Sequence, residues 1–309
     1  MNDRGSERRG PIRRSDPLGP RPPFRVLAAT LALPLLGFLL FLGYQWVAGD
    51  VRLAGNAGPA LDEAPRATEA AAVVESPGPP PAAAPGRPEA GRIVLILDDV
   101  GYDRGAAEQA AALGTTISFA VIPGTPHAAS SASFLFSRGF EILCHLPMEP
   151  EGYPAVSPGE GAILRSMSDD EIHSRTRAMV RSVPHAKGVN NHMGSAATSD
   201  ARVMQKVLEA IAAEGVFFID SRTTPHTVSR QLASRLGVRA AARDVFLDAD
   251  TSEEAIRAQI ERLARLADGG DIAIGIGHLY PTTIRVLRDE LPRLEERGYR
   301  FLRASEAVQ

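Results

Sequence analysis

At 309 residues the chain holds one large domain or two modest ones, and 34 Lys and Arg against 37 Asp and Glu leave a net charge of −3. That balance gives no basic surface of the kind nucleic-acid binding requires, so no nucleic-acid partner is expected. Cys144 is the single cysteine, which excludes an intramolecular disulfide; within the apolar run FEILCHL it reads as a small core hydrophobe.

The charge is unevenly placed. Residues 1–25 carry seven arginines against Asp3, Glu7 and Asp16, and form a basic tail. The uncharged stretch VLAATLALPLLGFLLFLGYQWV follows, Val26 to Val47. As a helix it would reach roughly 33 Å, enough to cross a hydrocarbon core of about 30 Å. Tyr44 and Trp46 stand at its far end, where amphipathic rings favour the membrane interface. Residues 26–48 are therefore predicted to be a single transmembrane helix in the inner (cytoplasmic) membrane, with the arginines holding the N-terminus in the cytoplasm and the remainder exported to the periplasmic or outer side. A cleaved signal peptide is the alternative, although the apolar run is long for a signal core. Residues 49–90, rich in Ala and Pro, carry no periodic apolar face and read as an extended linker.

From Arg92 short apolar runs alternate with amphipathic stretches, the pattern of β-α repeats around a parallel sheet. The expected strands are Ile93–Leu97, Ile117–Val121, Glu141–Cys144, Gly188–Asn190, Val216–Ile219, Arg239–Ala242, Ile272–Ile276 and Tyr299–Leu302. Between them, Ser168 with Glu171 and Thr251 with Glu254 fit capping boxes. Ala201–Glu214 carries Val203, Val207, Leu208 and Ile211 on one face, and Gly215 stops that helix. The whole of 91–309 suits one α/β domain, a distorted (β/α) barrel with seven or eight parallel strands; an open doubly wound sheet is the competing architecture. No Gly-x-Gly-x-x-Gly follows the first strand, which removes support for dinucleotide binding.

Barrels of this kind gather their chemistry at the carboxyl ends of the strands. Those ends read LILDD, EILCHLPME, GVNNHMGS, FFIDSRT and IGIGHLYP, which sets Asp98, Asp99, His145, Asn191, His192, Asp220 and His278 on one rim. Each alone has a plain structural reading, as a turn cap or a hydrogen-bonded loop residue. Their recurrence at one position in five β-α units favours a site. A carboxylate and two neutral imidazoles suit Zn²⁺ or another divalent metal, and a cation would offset the repulsion between Asp98 and Asp99. One carboxylate of the pair would then hold the metal and the other would take a proton.

As an ordered set, LILDDVGYD, EILCHLPMEP, GVNNHMGSAAT, FFIDSRT and GIGHLYP resemble the polysaccharide deacetylase superfamily, the NodB-homology carbohydrate esterases, and more closely its divergent polysaccharide deacetylase branch. The resemblance covers Arg92 to Ser305. It implies a distorted barrel and metal-dependent removal of N- or O-acetyl groups from an acetylated envelope glycan. It also implies roles: Asp98 as catalytic base, Asp99 and His145 as metal ligands, His278 as the acid that protonates the leaving group, and Asp220 as the partner that tunes His278.

Two departures stand out. The usual His-x-x-x-His motif has Glu149 in its second place, so His192 is inferred to supply the missing imidazole, with Glu149 as the alternative ligand. The usual arginine-proline motif is absent, which leaves Asp98 to be tuned by Asn191 or Arg222. Asn191, Arg222 and Tyr280 are the expected substrate-binding residues, with Tyr102 and Tyr153 also near the rim. The competing functions are a catalytically inactive envelope protein that binds glycan or a protein partner and, last, a metal-dependent hydrolase of another bond such as a phosphoester.

Overall fold

The computed structural model describes residues 90–309. The expected basic tail and transmembrane span, and the linker up to residue 89, lie outside the described residues. Among the described residues no helix is long and apolar enough to cross a membrane.

The strands are β1 (Gly91–Val100), β2 (Ser118–Val121), β3 (Glu141–Met148), β4 (Ala186–Met193), β5 (Phe217–Asp220), β6 (Ala240–Ala242), β7 (Val245–Phe246), β8 (Ile272–His278) and β9 (Tyr299–Leu302). The helices are α1 (Arg104–Ala111), α2 (Ala128–Ser137), α3 (Asp169–Ser182), α4 (Ala201–Glu214), α5 (Ser229–Leu236), α6 (Glu253–Ala267) and α7 (Pro281–Glu296). All ladders are parallel, in the order β6-β5-β4-β3-β2-β1-β8-β7, with β9 pairing the start of β1. The terminal strands of that path, β6 and β7, do not pair with each other, so the sheet curls into a half-barrel without closing.

This is the predicted class of α/β fold, with one strand more than the sequence suggested. The two-residue β7 was missed because a run so short carries no readable alternation. Four other strands extend further than expected, so that Asp98, Asp99, His145, His192 and His278 belong to strand ends rather than to the loops after them.

Helix starts follow local chemistry. Ser168 caps α3 with the full reciprocal box to Glu171. Asp200 accepts from the backbone N–H groups of Arg202 and Val203 to start α4, and Gly215, at φ 68°, ends it. At α6 the cap is Ser252, which accepts from Ala255 N; the expected Thr251 box is one residue out of register.

Alternation along the strands divides the core in two. Ile93, Leu95 and Leu97 of β1 join the large core beneath the helices, whereas Val94 and Ile96 join a smaller core on the other face, inside the curl. The inner set continues with Leu143, Phe217, Ile219, Ile274 and Ile276. Counting on by twos from these residues predicts which polar side chains enter the half-barrel: Asp98, His145 and His278. On β4, where Val189 faces the helices, the inner positions are Gly188, Asn190 and His192.

Candidate metal centre and active site

The ladders fix the site's framework. Asp98 is the direct partner of His278 across β1–β8, and His145 of Asn190 across β3–β4, with His192 two residues further along β4. By alternation Asp99 would point out toward the helices. Its backbone instead takes a left-handed φ of 62°, and the β1–β2 ladder shifts register between Leu97 and Val100. Aspartate tolerates this region better than most residues with a side chain. The turn carries the second carboxylate to the inner rim beside the first. Met193 (φ 53°) and Arg222 (φ 49°) adopt the same conformation at the end of β4 and just past β5. Strained backbone of this kind gathers where the surrounding structure holds a site in place.

Three ligand atoms meet there. Asp99 Oδ1 lies 3.3 Å from His145 Nε2 and 3.1 Å from His192 Nδ1, and the two nitrogens are 3.2 Å apart. A tetrahedral zinc ion with bonds of about 2.0–2.1 Å sets its ligand atoms about 3.3 Å apart, so this triangle matches one face of its coordination shell. Asp99 Oδ1 is buried without a hydrogen bond, which is how an acceptor reserved for a cation looks. The residues present therefore fit a divalent metal held by Asp99, His145 and His192.

Asn190 organises two members of the site at once. Its Nδ2 donates to Asp98 Oδ1 at 2.8 Å, which turns its Oδ1 toward His145 Nδ1 at 2.9 Å. His145 then carries its proton on Nδ1, and its Nε2 lone pair is aimed at the triangle. Asp98 Oδ2, free of that bond, stands 3.6 Å from His145 Nε2.

The two neighbouring carboxyls are driven apart in acidity. Burial raises the pKa of Asp98, only partly offset by His145, His278 and the Asn190 hydrogen bond. At Asp99 burial acts in the same sense, but His145 and His192 outweigh it and hold the group well below the usual carboxylate range. Burial works against the charged form of His145, yet Asp98 and Asp99 raise its pKa overall. Adjacent groups separated in this way mark an acid-base site.

His278 is held by Asp248. Nδ1 of the imidazole lies 2.9 Å from Asp248 Oδ1, while Asp248 Oδ2 accepts from His278 N and Thr283 Oγ1. Burial disfavours the imidazolium, but Asp248, Asp98 and Asp99 raise the pKa of His278 overall. Nε2 is left facing the site, 3.8 Å from Asp99 Oδ2. Phe246 meets the ring edge-on and Tyr280 stacks on it, with centroids 5.2 Å and 5.1 Å away.

This corrects the role expected of Asp220. Its carboxylate accepts from Arg222 N and Thr227 Oγ1 and so braces the loop after β5. The reason is strand order: β8 lies between β1 and β7, far along the sheet from β5. The residue beside His278 must therefore come from the end of β7. The sequence did hold a signal for Asp248, since VFLD repeats the apolar-then-aspartate pattern of LILD and FFID.

Asn191 is corrected in the same way. Its Nδ2 donates to Met193 O and its Oδ1 accepts from Ser221 N, so it ties β4 to the loop after β5 instead of touching Asp98 or a ligand. Its parity puts it on the outer face, and Asn190 takes the role. Arg222 is exposed and turned toward the carbonyl of Arg243, and does not bond to Asp98. Glu149, the alternative ligand, is spent on Arg165, whose backbone N and Nε donate to its two oxygens. Tyr280, stacked on His278, is exposed, as are Tyr102 and Tyr153. Cys144 is buried in the core, its thiol pKa pushed up by that burial.

Parallel strands curled but not closed, with polar residues gathered at their carboxyl ends, are the architecture of the deacetylase-like α/β half-barrels. The family model described as divergent polysaccharide deacetylase matches residues 95–308, and the chain belongs to that family. Protein YibQ of Escherichia coli (strain K12) is 41% identical over 200 residues, which cover 64% of this chain and 62% of that relative. The chain thus matches less than two thirds of the relative's length. A Haemophilus influenzae protein is 35% identical over 205 residues, 66% of this chain and 72% of its own. Among solved structures, protein ATU2773 of Agrobacterium tumefaciens C58 superposes with a TM-score of 0.68 at 21% identity, covering 74% of this chain and 91% of that one, a likeness of fold.

Proposed function

We propose that this chain is a divalent-metal-dependent deacetylase that hydrolyses N- or O-acetyl groups of an envelope glycan. We further infer that residues 26–48 anchor it in the inner membrane, with the half-barrel on the periplasmic or outer side. The observation that carries the catalytic reading is the triangle of Asp99, His145 and His192, flanked on one side by Asp98 and on the other by His278.

When bound, the cation would supply Lewis acidity, polarising the acyl carbonyl and acidifying water to a pKa of about 7. The chain's own residues handle the protons. Asp98 Oδ2 accepts a proton from the attacking water, while the Asn190 bond holds Oδ1 and fixes the carboxylate plane. Burial suits Asp98 to this task, because a raised pKa makes it a stronger base than an ordinary aspartate. His278 gives its Nε2 proton to the departing amine or alcohol. Asp248 keeps that imidazole protonated and oriented through Nδ1. Phe246 and Tyr280 wall the ring and limit water around it.

The test is acetate release. The purified full-length protein should retain about one equivalent of zinc and liberate acetate from one of a panel of N- and O-acetylated glycans. His145→Ala and His192→Ala should lose the metal, and Asp98→Asn should keep it but lose the acetate. Zinc retained with no acetate from any glycan would leave a glycan-binding protein that has kept the fold.

A further inference from the structure

A second concavity opens beside the catalytic rim, at the seam of the half-barrel. Because β6 and β7 do not pair, Arg243 and Asp244 carry the chain across the gap between them. The cleft there has a volume of about 520 Å³ and is lined by Arg222, Arg243, Asp244, Phe246, Gln259 and Arg262, among others. It therefore draws on the loop after β5, the crossing segment and helix α6.

Three arginines and a single aspartate, Asp244, line this space, which leaves its lining net positive. Arg243 is tied by its Nε to Ser221 O at 2.7 Å and by its Nη2 to Arg222 O at 3.0 Å. Arg222 reaches back only to Arg243 O, at 3.4 Å. Neither these two nor Arg262 forms an ion pair with a carboxylate among the described residues. Of the acids nearby, Asp244 spends an oxygen on Ile274 N, and Asp220 spends both on Arg222 N and Thr227 Oγ1. Burial and then the charge of Arg222 weaken the guanidinium of Arg243, and Asp220, Asp98 and Asp244 only partly offset this. Three guanidinium groups against one carboxylate leave an excess of positive charge suited to a planar or tetrahedral anion.

The cleft is coupled to the catalytic centre through one ring. Phe246 carries the guanidinium of Arg243 over its face, 5.0 Å from the centroid, and meets His278 edge-on. A ligand filling the cleft would thus reach the same residue that walls His278.

We propose that this cleft is a subsite for an anionic substituent, a carboxylate or a phosphate, borne by the acetylated glycan on the same sugar or its neighbour. The inference rests on the deacetylase reading and deepens it: the substrate is an acidic glycan rather than a neutral one.

The test is binding to the full-length, zinc-free protein by calorimetry, where no turnover is needed. The probes are a tetrasaccharide alternating N-acetylglucosamine with glucuronate, N-acetylglucosamine 6-phosphate, and the neutral references chitotetraose and N-acetylglucosamine. At least one acidic probe should bind about tenfold or more tighter than its neutral reference, and which one does so separates carboxylate from phosphate. Arg222→Ala with Arg262→Ala, both at exposed positions, should remove that preference while circular dichroism and Tm stay those of the parent. Equal binding of acidic and neutral probes, or a preference that survives the double substitution, overturns the subsite. In the zinc-loaded protein, an arginine-dependent preference without acetate release keeps the subsite and rejects the deacetylase reading. Acetate released with the same KM from acidic and neutral glycans does the reverse.

Discussion

Asp248 Oδ1 and His278 Nδ1 lie 2.9 Å apart, one residue standing just past β7 and the other at the end of the neighbouring β8, with helix α6 between them in the sequence. Each changes the other: His278 is raised in pKa, and Asp248 is lowered because His278 and Thr283 outweigh the effect of its burial. Stability from the raised histidine is full below about pH 6.5, the unfolded value, and is lost as pH rises through its folded pKa. Stability from the depressed aspartate is present above about pH 3.9 and is lost as pH falls through its own folded pKa. The pair therefore contributes fully between about pH 4 and pH 6.5. Asp248→Asn should lower the His278 pKa by one unit or more, on the order of what a lost adjacent charge produces. Imidazole NMR titration reads this directly, and an unmoved His278 would show that Asp248 does not set its charge.

Metal affinity should depend steeply on pH. Asp98 and Asp99 raise the His145 pKa, so protons compete for the nitrogen that faces the triangle. Zinc uptake should release protons, and affinity measured by chelator competition should fall as pH drops from about 8 to about 6. An affinity flat across that range would remove His145 from the ligand set.

Asn190 lies behind the first ring of ligands but orients His145. Asn190→Ala should weaken zinc binding about 10–100-fold, the usual effect of removing such an outer partner. Asn191→Ala should leave zinc affinity within about twofold, since its bonds go to Met193 O, Ser221 N and Thr223 Oγ1 and not to His145, His192 or Asp99. The same chelator competition on both variants checks the assignment.

Glu149 should prove structural. Glu149→Gln should leave the zinc stoichiometry unchanged, yet cost about 0.5–1.5 kcal/mol in urea unfolding by weakening the half-buried bonds to Arg165. Loss of metal with unchanged stability would restore it as a ligand.

Gly188 admits no side chain. A Cβ there would come within 2.3 Å of the Phe217 ring, its partner across β4–β5. Gly188→Ala should destabilise by about 1–3 kcal/mol through overpacking, seen as a lower urea midpoint. Zinc affinity in the folded fraction should be preserved, because the clash lies two residues short of Asn190.

The sequence by itself determined the α/β class, eight of the nine strands among the described residues, and the rim on which Asp98, His145, His192 and His278 fall. Period-two alternation and the recurrent polar residue at each strand end are local properties, legible without neighbours. Three things were decided only in the folded chain. Strand order, set by packing across the sheet, made Asp248 rather than Asp220 the neighbour of His278. A left-handed turn at Asp99, which no alternation rule contains, brought the second carboxylate beside the first. Side-chain direction on β4 chose Asn190 over Asn191, because adjacent residues of a strand face opposite sides and only the assembled ladder shows which side holds the site.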